Sequence, residues 1–98
     1  MPIETRPFDA ANYLTTPEDV VSYLNVVLED GDPALLASAL GDIARAKGMS
    51  EIARKAGLTR ASLYKALSAD GNPELATVLK VLAACGIRLA AQAAPDAA

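Results

Sequence analysis

A chain of 98 residues is long enough to bury one hydrophobic core and too short for two. Its hydrophobic fraction of 52% rests on Ala, Leu and Val with three Tyr, one Phe and no Trp, a mix that suits close-packed helices better than a strand-rich sandwich. With no His and a single Cys, Cys85, it can form neither an internal disulfide nor a zinc-ligand set and has no imidazole for acid–base work, so catalysis and metal or other cofactor binding are not expected. Cys85 reads as a small buried apolar residue.

The formal net charge of −3 conceals a segregation. Residues 1–32 carry seven acids (Glu4, Asp9, Glu18, Asp19, Glu29, Asp30 and Asp32) against Arg6 alone. Residues 45–65 reverse the balance, with Arg45, Lys47, Arg54, Lys55, Arg60 and Lys65 against Glu51. Charge runs are commonly only solvated faces, but an acidic front and a basic middle also predict two surfaces for two partners. The apolar runs are far shorter than the roughly 20 residues of a membrane span. The first six residues hold Pro2 and Glu4 in place of a secretion leader, so a cytoplasmic protein is expected.

Along the chain, residues 1–15 show no helical repeat, yet Ile3, Phe8, Tyr13 and Leu14 are apolar enough to suggest an extended arm that docks. Thr16-Pro17-Glu18-Asp19 is a helix start: a capping hydroxyl, a proline whose missing N–H costs nothing, and acids favoured by the helix dipole. Val20, Leu24, Val27 and Leu28 then predict a helix over 17–30, closed by Gly31. Asp32-Pro33 repeats the device, and Leu36, Leu40, Ile43 and Ala44 predict a helix over 33–47, stopped by Gly48. Two short pieces follow, 49–56 and 60–68, which must lean on their neighbours. After Asp70-Gly71, Asn72-Pro73-Glu74 predicts the start of a helix over 73–85 with Leu75, Val78, Leu79 and Leu82 on one face. Ile87-Arg88-Leu89 alternates like a short strand, and 93–98 reads as a flexible tail, leaving 16–92 as the domain.

The informative stretch is 49–68. Gly57 and Ala53 permit two helices to cross steeply through Gly57-Leu58-Thr59, and Ile52, Ala56, Leu58, Leu63 and Leu67 are core residues that hold the second helix. Opposite Leu63 and Leu67 lie Ala61, Tyr64, Lys65 and Ser68, flanked by Arg60 and Ser62, with no acid among them. Thr59 can cap that helix, whose N-terminal end favours phosphate. Arg60 and Lys65 can reach base edges or phosphates, and Tyr64 can bond phosphate or pack on a thymine methyl. Ser50, at the start of the preceding helix, and Lys55, with Arg54, can touch the DNA backbone. Arg45 and Lys47 read mainly as solvated charge. The expected architecture is all-α, five helices in a helix-turn-helix bundle.

At this point the chain resembles the XRE/Cro-like repressors, whose lambda-repressor-like domain would cover about 33–89. Its whole length is similar to the HigA-like addiction-module antidotes, antitoxins of bacterial toxin–antitoxin pairs. Phe8-Asp9 with Tyr13-Leu14, Leu28-Glu29-Asp30-Gly31-Asp32-Pro33, Ala39-Leu40-Gly41-Asp42-Ile43-Ala44-Arg45-Ala46 and Gly71-Asn72-Pro73-Glu74 carry the resemblance. It implies a double function: neutralising a small basic RelE/ParE-like toxin through the arm (Phe8, Asp9, Tyr13, Leu14), and repressing the operon by binding operator DNA. The family's DNA-reading surface falls on Thr59, Arg60, Ala61, Tyr64 and Lys65. Ala61 departs from the polar residue common at that place, which leaves fewer direct base contacts. A homodimer is expected, because this motif reads two half-sites about 34 Å apart. The alternatives are a stand-alone repressor, which needs no arm, and a protein-only adaptor, which needs no salt-dependent DNA binding.

Overall fold

Thr16 opens the first helix as one half of a capping box. Its Oγ1 accepts from the Asp19 N–H at 3.1 Å, and the Asp19 carboxylate accepts from the Thr16 N–H at 3.2 Å. Hydrogen bonds to the carboxylate, from Thr16 first and then from Thr15, hold Asp19 below its ordinary range. The structure, a computed structural model, describes residues 13–68 and 70–95. Phe8 and Asp9 of the expected arm lie outside them. The described residues form five helices: α1 (Pro17–Asp30), α2 (Pro33–Lys47), α3 (Met49–Ala56), α4 (Arg60–Ala66) and α5 (Leu75–Ala84). None of these is long and apolar enough to cross a membrane.

Local chemistry sets most of the boundaries. Gly31 ends α1 in the left-handed region, and Asp32 caps α2 by accepting from the Ala34 N–H at 2.9 Å, with Pro33 in the first turn. Gly57 (φ 73) ends α3 in a Schellman turn: its N–H donates to the Arg54 carbonyl and that of Leu58 to the Ala53 carbonyl. Gly86 (φ 78) closes α5 in the same way, and the Ile87 N–H donates to the Leu82 carbonyl at 2.8 Å.

Three expectations need correction. Residues 87–89 form no strand: the Ile87 N–H is spent on the α5 cap, and the described residues include no strand to pair with. The alternation reflects Ile87 resting half-buried on the core while Arg88 and Leu89 stay exposed. Helix α4 stops at Ala66: Leu67 departs from helical geometry (φ −100, ψ 13), and the Ser68 N–H and hydroxyl both turn back to the Lys65 carbonyl. Helix α5 starts at Leu75, with Glu74 as an extended N-cap residue. Gly71 lies so near the end of α4 that a Cβ there would be 2.3 Å from the Ala66 carbonyl oxygen, and residues 71–74 stay outside any helix.

One core joins all the elements. Leu14, Val20 and Leu24 meet Leu40 and Ile43 of α2, Ile52 of α3, Leu63 of α4, and Val78, Val81 and Leu82 of α5. Leu14 is therefore a core residue, whereas Tyr13 beside it is exposed. Helix α2 packs against α1, α3 and α5, and α3 packs against α4 and α5. Where the end of α4 meets α2, a Cβ on Gly41 would come within 2.8 Å of the Leu67 carbonyl oxygen. Gly41→Ala is predicted to destabilise the protein by about 1–2 kcal/mol, because overpacking outweighs the gain in helix propensity. Urea denaturation measures this, and an unchanged or higher midpoint would rule out the close approach.

Candidate nucleic-acid interface

The sequence 57–59 joins α3 to α4 in three residues. Gly57 supplies the left-handed turn, Leu58 is half-buried on the core, and Thr59 is extended (φ −76, ψ 154). Thr59 Oγ1 accepts from the Ser62 N–H at 3.0 Å and donates to Ser62 Oγ at 2.8 Å, so one side chain satisfies a free backbone donor and orients a neighbouring hydroxyl. Within α4 only Leu63 is buried, and Leu67 continues its contact just beyond the helix. Arg60, Ala61, Ser62, Tyr64 and Lys65 are exposed, Tyr64 to 58%. The structure thus brings six of the predicted contact residues together, from Thr59 to Lys65, on a face with two cations and no carboxylate.

The α3 residues divide. Ser50 is exposed in the first turn, with no side chain capping that end. Arg54 is held by the Glu51 carboxylate one turn earlier. Lys55 lines a cleft between α3 and α5 to which α4 contributes nothing. Of the toxin-contact candidates within the described residues, Tyr13 is accessible and Leu14 is committed to packing.

Sequence reasoning missed a polar chain leading from α1 to the edge of this face. The Tyr23 hydroxyl donates to Asp42 Oδ2 at 2.7 Å, and Asp42 Oδ1 accepts from the Arg45 guanidinium at 2.7 Å. Arg45 in turn lines a small groove between α2 and α4 with Tyr64 and Ser68. The Asp42–Arg45 half was legible as an i, i+3 pair on one helix. The Tyr23 half joins residues 19 apart and leaves no local signal.

With the geometry in place, comparison with known proteins gives the family. The family described as probable addiction module antidote protein matches residues 4–93, and the chain belongs to it. Its place is the antidote side of an addiction module, with a toxin as partner. An uncharacterized protein of Haemophilus influenzae (strain ATCC 51907 / DSM 11121 / KW20 / Rd) is 49% identical over 89 residues, covering 91% of this chain and 92% of that protein. No solved structure matches.

The Tyr23 bond makes a pH prediction. Burial first, then the Asp42 hydrogen bond and charge, push the phenol from its ordinary 10.0 up to about 12. The fold keeps the neutral form, so this contribution is complete below pH 10 and is lost as the pH rises toward 12. Tyr23→Phe should cost about 1 kcal/mol at neutral pH and narrow its gap from the parent across that alkaline window. A gap that stays constant across the window would show that Tyr23 does not titrate against Asp42.

Proposed function

We propose that the chain is the antitoxin of a type II toxin–antitoxin module, neutralising a RelE/ParE-like toxin and, as a homodimer, binding operator DNA to repress the operon that encodes both. The observation that carries the DNA half is the acid-free, outward face of α4, started by the Thr59 cap and anchored by Leu63. In this reading α2 to α5 form a helix-turn-helix domain of the lambda-repressor-like type, and α4 lies in the major groove.

Arg60 and Lys65 reach base edges or phosphates, Tyr64 adds a phosphate bond or a methyl contact, and Thr59, Ser62 and Ser50 bond the backbone. Ala61 sits close to the bases without reading them through hydrogen bonds. Lys55 stands apart from this set, in the cleft with α5. The arm, Phe8, Asp9 and exposed Tyr13, engages the toxin, and the acidic front of the chain steers a basic partner toward it. The protein acts in the cytoplasm, where both operon and toxin are found.

Arg60→Ala and Lys65→Ala should each weaken operator binding about tenfold or more, as bidentate or charged contacts do. Fluorescence anisotropy against the upstream promoter, with a scrambled duplex as control, reads the effect. Unaltered affinity in either variant would remove that side chain from the interface. Deleting residues 1–12, which spares the core residue Leu14, should weaken toxin binding in a calorimetric titration while leaving the helical spectrum unchanged. Undiminished toxin affinity would take the arm out of the account.

A further inference from the structure

Acids and bases are segregated along this chain. Residues 13–44 hold six acids (Glu18, Asp19, Glu29, Asp30, Asp32 and Asp42) and no base. On α1, Glu18 and Glu29 stand about three turns apart on one side of the helix, beside exposed Val21 and Leu28, so an acid at each end borders an apolar edge.

The counterpart lies between α3 and α5. A cleft of about 650 Å³ is lined by Lys47 from the end of α2, Lys55 of α3 and Lys80 of α5, over an apolar floor that includes Ile52 and Cys85. All three lysines are exposed, and among the described residues none has an ion-pair partner. The acid at the rim, Glu51, is already held by Arg54. Burial pushes the Cys85 thiol up, while Lys47 and Lys55 pull it the other way, so two ammonium groups act at the cleft floor. Beside the cleft, α5 exposes Leu75 and Leu79 to 67% and 45%, and this stripe continues into Ala83 on the rim.

We infer that this cleft receives helix α1 of a second copy of the chain, with Glu18 and Glu29 against Lys47, Lys55 and Lys80, and Val21 and Leu28 against Leu75 and Leu79. In a closed pair the contact occurs twice, each copy placing its α1 on the other. A basic toxin is repelled by three lysines, and DNA has no use for an exposed leucine stripe beside them. An acidic helix with an apolar edge satisfies both halves of the surface, and this chain carries one. The inference rests on the homodimer in the proposed function and assigns its surface.

The test is a charge swap read by sedimentation velocity on the full chain. The parent should dimerise at low salt and dissociate as salt rises. The triple variant Lys47→Glu, Lys55→Glu, Lys80→Glu should dissociate about tenfold more readily, and so should Glu18→Lys, Glu29→Lys. Because each variant then carries a single sign on both surfaces, mixing the two restores both contacts of the pair, and a heterodimer should form with near-parental affinity. Circular dichroism confirms that each variant is folded. A parental dimer that neither variant weakens, or two weakened variants that fail to pair, would overturn this surface while leaving the homodimer itself standing. A chain that stays monomeric at all concentrations would overturn both.

Discussion

Helix α4 has seven residues, too few to persist in water without tertiary support. Its hold on the protein is the burial of Leu63, extended by Leu67, against α2 and α3. That constraint shapes the rest of the molecule. Gly41 has no side chain, so the Leu67 carbonyl can come close to α2. The left-handed Gly57 lets the chain reverse within three residues, and the Thr59 cap satisfies the end of the helix that packing cannot reach. Since one buried residue per two turns is enough, the side chains of Arg60, Ala61, Ser62, Tyr64 and Lys65 stay exposed, and that spare surface is the one assigned to DNA.

Electrostatics then divides the labour. Helix α1 and the turn that leads into α2 are acidic, while the second half of the chain holds eight bases (Arg45, Lys47, Arg54, Lys55, Arg60, Lys65, Lys80 and Arg88) against Glu51, Asp70, Glu74 and Asp96. An acidic chain can therefore present a cationic face, because a partner responds to the local field before the net charge. Some of these charges are spent on pairs within the chain. Glu51 takes Arg54, and Asp42 takes Arg45 and Tyr23, which leaves Arg60 and Lys65 on one side and the cleft lysines on the other for partners.

Features encoded within four or five residues could be read from the sequence. Thr16-Pro17, Asp32-Pro33, Gly31 and Gly57 mark helix ends because caps are local, and the exposed arc of α4 follows from the spacing of Leu63 and Leu67. The start of α5 could not be read, since Asn72-Pro73 has the same local signature as Asp32-Pro33. Gly71 lies against the Ala66 carbonyl, a contact between elements, and the residues that follow it stay outside the helix until Leu75. Ile87-Arg88-Leu89 misled for a related reason: alternation makes a strand only where another strand offers a ladder, and here the backbone closes a helix instead. Leu14 in the core, the Tyr23–Asp42 bond and the meeting of Lys80 with Lys47 and Lys55 all depend on chain reversal, which no local pattern encodes.

The most direct measurement is an amide chemical-shift titration of isotopically labelled protein with its own upstream promoter duplex. Perturbations should concentrate at Ser50 and residues 59–65 and weaken as salt is added, with the amides of α1 largely unmoved. Perturbations centred on α1, or none at low salt, would contradict the assignment of the α4 face to DNA.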